Sequence, residues 1–453
     1  MAELANRMMM IAFHYPPFGG SSGLQRTLCF SRHLAEYGWQ PVVLTVDPRA
    51  YQAQDADQLE QIPTSVPVKR AFGLDTARHL SIAGRYFQTM ALPDRWVSWA
   101  LSAIPLGMWL IRKYRPRVLW STYPIATAHL IGLVLHRLSG IPLVADFRDP
   151  MIEEDRTTGK RWPAQPSIWN AREWIERRVV RECSRAVFVA PKALRACSER
   201  YPDLPDSRWA LIRNGFDEAA FIKAERLAAK PNLNRDRILL LHSGFLYPGG
   251  DRDPGAFFSA LSQLHNGGFI SASNLRVLLR ASGFESQYRK QVAELGLKDI
   301  VFFEPSIPYV DALAEMLGAD GLLLFQGRDS NTAIPAKYYE YLRARRPILA
   351  LADAEGDTAH EILNAKAGLI VPLDQAEQIA AGLLQFLSQI RESNAILPTE
   401  SEIQSHSRKS KAVALARLLD SVVDGDPPAR ETIHENESNV RKSDKPGMQK
   451  VAG

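Results

Sequence analysis

The chain has 453 residues, 46% of them hydrophobic and 23% charged, a formal net charge of +5, and three cysteines. That balance excludes a disordered or fibrous chain, and the length favours two domains over one core. The small net charge argues against a nucleic-acid binder, which needs a concentrated basic stripe. Cys29, Cys183 and Cys197 follow neither a metal-ligand nor a disulfide spacing, which fits a reducing, cytoplasmic setting.

The apolar run Met8–His14 reads as a first buried strand; it lacks the length and cleavage pattern of a signal peptide. Short β-branched or leucine-rich runs then alternate with helical patterns, the signature of layered α/β structure with parallel sheets. The runs in the first half are Met9–Phe13, Val42–Val46, Val118–Ser121, Leu143–Asp146, Ala186–Val189 and Trp209–Ile212. Helices are expected over Leu24–Tyr37, Ala126–Leu138 and Ala171–Cys183. Val97–Ile111 is nearly uncharged but shorter than the ~20 residues of a membrane span, and holds Pro105. It reads either as a core helix or as exposed apolar surface. The basic residues Arg172, Arg177, Arg178, Arg181 and Arg185 read as a solvated helix face, with a membrane-facing role as the minority reading.

A polar stretch from Lys223 to Asp236 reads as a linker, dividing an N-terminal domain (1–218) from a C-terminal domain (237–395) across residues 219–236. Beyond it the alternation resumes. Strands are expected over Leu239–Ser243, Leu275–Ala281, Ile300–Glu304, Gly321–Phe325, Ile348–Leu351 and Leu369–Val371. Helices fit Gly255–Leu264, Gln287–Leu295, Val310–Met316, Pro335–Arg343 and Gln375–Leu387. An amphipathic helix, Ser407–Val423, lies within the closing segment 396–423, and residues 424–453 have the composition of a disordered tail. Two doubly wound domains in series place a ligand in the cleft between facing carboxyl ends of strands.

Five motifs occupy such strand ends. Tyr15-Pro16-Pro17-Phe18-Gly19-Gly20-Ser21-Ser22-Gly23 joins a strand to a helix; its glycines suit a close backbone approach to an anion, or simply a tight turn. Ala145-Asp146-Phe147-Arg148-Asp149-Pro150 sets two carboxylates around an arginine, either as a ligand site or as a structural Arg–Asp pair. Arg213-Asn214-Gly215 is a turn signal where the first domain nears its end. His242-Ser243-Gly244-Phe245 leads to Arg252, whose fork of donors suits a diphosphate. The most specific motif is Asn331-Thr332-Ala333-Ile334-Pro335-Ala336-Lys337-Tyr338-Tyr339-Glu340-Tyr341-Leu342. Here Pro335 suits a helix start and Asn331 or Thr332 a cap. Lys337 and Glu340 fall on nearly one helix face, the lysine suited to phosphates and the glutamate to ribose hydroxyls. The ten histidines are scattered without metal-binding spacing, so neither a metal nor another cofactor is expected.

In this order the motifs resemble glycosyltransferase family 4, the retaining GT-B enzymes, over about residues 8 to 420. The likeness is closest to bacterial members with Pro-Pro-x-Gly-Gly, Ala-Asp-Phe-Arg-Asp-Pro and Pro-Ala-Lys-x-x-Glu-Tyr-Leu in that order. It implies a GT-B fold, with two doubly wound Rossmann-like α/β domains facing an interdomain cleft and the terminal helix crossing back to the first domain. It also implies transfer of a sugar, with retention and without a metal, from a nucleotide-sugar donor. The acceptor implied is lipid-linked or a growing cell-surface polysaccharide, met at the inner face of the membrane. Carried over by position, Gly19, Gly20, Asn214, Arg252, Thr332, Lys337 and Glu340 bind the donor, and Asp149, Arg252 and Lys337 serve the reaction. Two departures stand out: Thr332 occupies the place of the family's first motif glutamate, and Phe245 that of a frequent arginine. An epimerase or hydrolase using the same cleft, and a non-catalytic binder of nucleotide sugars, are the alternatives.

Overall fold

The computed structural model describes residues 6–19, 23–154, 159–228 and 237–425. In chain order the strands are β1 (Asn6–Ala12), β2 (Trp39–Val46), β3 (Val68–Ala71), β4 (Val118–Thr122), β5 (Leu143–Arg148), β6 (Glu153–Glu154), β7 (Arg161–Trp162), β8 (Arg185–Phe188) and β9 (Trp209–Leu211). They continue with β10 (Ile238–Ser243), β11 (Leu275–Arg280), β12 (Val301–Glu304), β13 (Gly321–Gln326), β14 (Ile348–Ala352) and β15 (Gly368–Val371).

Seven strands form a parallel sheet in the order β3-β2-β1-β4-β5-β8-β9, and six form a second in the order β12-β11-β10-β13-β14-β15. In each sheet the order reverses beside the central strand, between β1 and β4 and between β10 and β13. These are the switch points where doubly wound sheets open a crevice at the strand carboxyl ends. The short pair β6–β7 is antiparallel and stands apart from both sheets.

The period of two along a strand decides which core each side chain joins. Met9 and Ile11 of β1 pack with Trp99, Ala103 and Leu110, whereas Met8 and Met10 pack with Leu28, Phe30, Leu415 and Leu419. Both faces are covered, which is why the strands read as near-continuous apolar runs. The apolar stretch around Pro105 is a helix, Trp99–Tyr114; Trp99, Ala103 and Leu110 are buried on one face while Leu101 is 82% exposed on another.

The second core surface of β1 is completed by the end of the described chain. Helix Arg408–Asp424 lies on helix Gly23–His33, and Trp39 donates its indole N–H to Asp420 at 2.8 Å. Burying Leu415 and Leu419 there is worth roughly 1.5–3 kcal/mol each. The crossing is clamped at Phe216, whose N–H reaches His406 O at 3.2 Å and whose carbonyl takes the N–H of Arg408 at 2.9 Å. A β-carbon on Gly215 would collide with His406 O, so this turn requires glycine.

The stretch from Lys223 differs from the linker reading: Glu218–Leu227 is a helix capped by Asp217, whose carboxylate accepts from Ala220 N at 3.2 Å. Its buried Phe221 and Ala224 supply an apolar face too short to stand out from the surrounding polar composition. Residues 229–236, Gly20 and residues 426–453 lie outside the described residues. The three cysteines are free and buried. No helix among the described residues is long and apolar enough to cross a membrane.

Candidate active site

On the second sheet, β10 ends at Ser243 and the chain turns through Gly244 at φ +140°, a conformation that side-chain-bearing residues rarely adopt. Lys337 fills the space a side chain would need. A β-carbon on Gly244 would stand 2.5 Å from its Nζ. Burial lowers the Lys337 pKa, the like charge of Arg252 lowers it further, and Glu340 opposes both. Among the described residues no carboxylate forms an ion pair with this ammonium. Two cations therefore meet at the carboxyl end of β10, a place suited to an anion.

Lys337 belongs to helix Ala336–Ala344, which has Pro335 at its cap position and no side-chain cap. Neither expected cap residue serves: Asn331 donates to Asp353 at 2.8 Å and Thr332 turns to the other domain. Glu340 accepts the hydroxyl of Tyr309 at 2.9 Å. The loops after β10 and β13 are tied together, since Ser330 Oγ donates to Asp251 Oδ2 at 2.6 Å and Gly327 N to Asp251 O at 2.5 Å. This tie holds Arg252 beside the segment that leads into Lys337. His242 beneath them is neutral near pH 7: burial, then Lys337, lowers its pKa to about 3, and its Nδ1 bonds Leu323 O at 2.9 Å.

On the first sheet, the carboxylate–arginine motif divides its roles. Asp146 is buried and takes a two-pronged bond from Arg26, 2.9 Å on each arm, plus the Thr122 hydroxyl at 3.1 Å. It braces the sheet. The register between β5 and β8 shifts between Asp146 and Arg148, and Arg148 adopts φ +62°. Such a bulge re-aims the side chains at the end of its strand. Arg148 donates to Tyr123 O at 3.3 Å, and Asp149 beside it has its pKa raised by burial. His14, at the end of β1, is held neutral by burial and by Arg148, with a pKa of about 3.

Gly19 makes its close approach to protein: its N–H bonds Ala53 O at 2.9 Å, and a β-carbon there would stand 3.3 Å from Ala53 C and Gln54 C. Asn214 receives Arg26 Nη1 at 3.4 Å and lines a hollow with Gln25, Ala336 and Arg408. That hollow offers about 20 Å³, space for about one water. The domains are nearly closed on each other there.

Across the cleft, Thr332 Oγ1 donates to Glu153 Oε1 at 2.7 Å, and Lys160 meets Asp329 at 3.0 Å. Farther along, Asp357 accepts the Lys192 N–H at 2.7 Å and Arg213 pairs with Glu361 at 2.7 Å. The cleft thus gathers Lys337, Arg252 and Glu340 on one wall, with Asp149 and Glu153 on the other. Sequence reasoning missed Glu153 and Tyr309. The single hint at Glu153 was a second acidic pair four residues beyond Asp149. Among the described residues no group of three or more His, Cys, Asp or Glu side chains gathers to hold a metal ion.

Residues 24–215 match the model of the glycosyl transferase 4-like domain. No curated protein matches the chain by sequence. The sucrose-phosphate synthase of Thermosynechococcus elongatus superposes with TM-score 0.61 at 14% identity, covering 93% of this chain and 100% of that one. A glycosyltransferase from Rickettsia africae gives TM-score 0.62 at 11% identity, covering 93% and 99%. Anabaena HepE, solved with UDP-glucose, gives 0.55 at 13% identity, covering 92% and 97%. With two parallel Rossmann-like sheets and superposition of 93% of its length on such a structure, the chain has the two-domain GT-B fold, and its residues 24–215 match the glycosyl transferase 4-like domain.

Proposed function

We propose that the protein transfers a sugar from a nucleotide-sugar donor to an acceptor, and the meeting of Lys337, Gly244 and Arg252 carries that reading. A diphosphate leaving group builds negative charge as the sugar departs, and fixed cations aimed at that charge lower the barrier without a metal. The uncapped start of helix Ala336–Ala344 adds its dipole. Glu340, held by Tyr309, accepts ribose hydroxyls, and the exposed rings of Phe245, Tyr247 and Phe284 at the same strand ends suit a nucleobase.

Retention of the anomeric configuration follows the resemblance of the Pro335–Leu342 motif to retaining enzymes. In that chemistry the acceptor proton passes to a donor phosphate oxygen. Asp149, on the opposite wall, orients the acceptor hydroxyl. Domain closure brings the two together, and positioning supplies much of the rate.

An acceptor at a membrane surface, lipid-linked or a growing polysaccharide, is supported by the first domain's outer surface. Ile82, Phe87 and Leu101 are each at least 80% exposed, with Phe72, Tyr86, Met90 and Trp109 also exposed in the same part of the chain. Several large apolar side chains left in water are costly unless something covers them. Arg85 and Lys113 stand among them in sequence and suit anionic headgroups. Flotation with anionic and with neutral vesicles tests this: binding to the anionic vesicles that raised salt weakens is expected, and no binding to either removes the membrane.

A further inference from the structure

Beside the carboxyl end of β10 the second domain offers the cations Lys337 and Arg252, and the first domain faces them with the carboxylates of Asp149 and Glu153. On the reading that the cations hold a donor diphosphate, we propose that Glu153 is the first domain's contact to the transferred sugar, accepting its hydroxyl groups. Thr332 holds the carboxylate in place.

The placement argues for it. Glu153 stands on β6, paired antiparallel with β7, and the Thr332 hydroxyl, on the loop between β13 and Lys337, reaches its Oε1 at 2.7 Å. That loop is the one tied through Ser330 and Asp251 to the Arg252 loop. Glu153 therefore meets the second domain beside the phosphate-binding pair, where the group attached to the phosphates must lie.

The chemistry argues for it too. Among the described residues Thr332 is the one hydrogen-bonding partner of the Glu153 side chain, and no cation pairs with it. Burial raises its pKa and Asp149 nearby adds to that, while the Thr332 bond and the more distant charge of Arg200, itself paired with Glu176, oppose it. A partly buried carboxylate without a cation is costly unless donors reach its remaining lone pairs. A phosphate there would be repelled by Glu153 and Asp149 alike. A neutral polyol supplies hydroxyl donors without charge, and the sugar of the donor is such a group.

The test compares nucleotides with their sugar conjugates. Calorimetry with a panel of nucleoside diphosphates and the matching nucleotide sugars is run on wild type, Glu153→Gln and Thr332→Val, with melting curves for each. In Glu153→Gln the nucleotide alone should bind within about twofold of wild type. The gain in affinity from the attached sugar should fall about tenfold or more, as loss of a charge-assisted hydrogen bond implies. Thr332→Val, which keeps the carboxylate but frees it, should lose less of that gain. If nucleotide and nucleotide sugar weaken together in Glu153→Gln, the residue is a latch between domains and the proposal fails. An unchanged gain overturns it as well. If no nucleotide binds wild type, the donor reading itself fails, and the sugar contact with it.

Discussion

Lys337 lies where the side chain of residue 244 would be: a β-carbon on Gly244 would stand 2.5 Å from its ammonium nitrogen. The glycine at the end of β10 and the lysine of helix Ala336–Ala344 therefore depend on each other. Gly244→Ala should displace the ammonium and also strain a backbone at φ +140°. Donor affinity should drop as it does in Lys337→Ala, and stability should fall by about 1–3 kcal/mol. Calorimetry and a denaturant melt read the two effects separately, and an alanine variant with wild-type affinity would show that the contact is incidental.

Lys337 and Glu340 should fail in different ways. Lys337→Ala removes charge beside the leaving diphosphate, so beyond its loss of donor affinity turnover should fall on the order of a hundredfold. Glu340→Gln weakens contacts to ribose made alike before and during transfer. Its effect should appear mainly as a raised donor KM. Steady-state kinetics at varied donor concentration separates the two.

Affinity for the donor should decline at alkaline pH earlier than an ordinary lysine would allow. Burial, and then the like charge of Arg252, lowers the Lys337 pKa from its usual 10.5. As pH rises through that lowered value the ammonium loses its proton, and the attraction for a diphosphate goes with it. Lys337→Arg keeps its charge to far higher pH and should flatten the decline. Dissociation constants measured from neutral pH upward through the ordinary lysine range decide it.

Asp146 should prove structural. Arg26→Met leaves its buried carboxylate without a counter-ion and should cost about 3–5 kcal/mol of stability. The donor constants of the folded protein should change far less than in Lys337→Ala, because neither residue is among the charges that act on Lys337. Denaturant unfolding beside kinetics checks both halves.

Much of the architecture was legible because parallel strands covered on both faces must be apolar throughout, as Leu240, Leu241 and Leu322–Phe325 are. Strand β3 was not, since Val68-Lys69-Arg70-Ala71 lies at a sheet edge with three of its four residues partly exposed, and so has no apolar run. Helix Glu218–Leu227 hid within polar composition for a similar reason. Lys337 and Glu340 could be set on nearly one helix face in advance, because that follows from helical spacing. Glu153 could not, because its meeting with Thr332 joins residues 179 positions apart and exists only once two domains face each other. The role of Asp146 was equally hidden: its partner is Arg26, 120 residues away, and not the neighbouring Arg148.

Product analysis with labelled donors separates transfer from epimerisation and hydrolysis. The protein is incubated with nucleotide sugars labelled in the sugar, with and without membrane extract and with and without a chelator. With a transferase, label enters a larger product only when acceptor membranes are present, nucleoside diphosphate is released in equal amount, and the chelator leaves the rate unchanged. Lys337→Ala should lose nearly all of this transfer. Label recovered as an epimerised nucleotide sugar or as free sugar, with membranes making no difference, would contradict transfer and assign the cleft to an epimerase or a hydrolase.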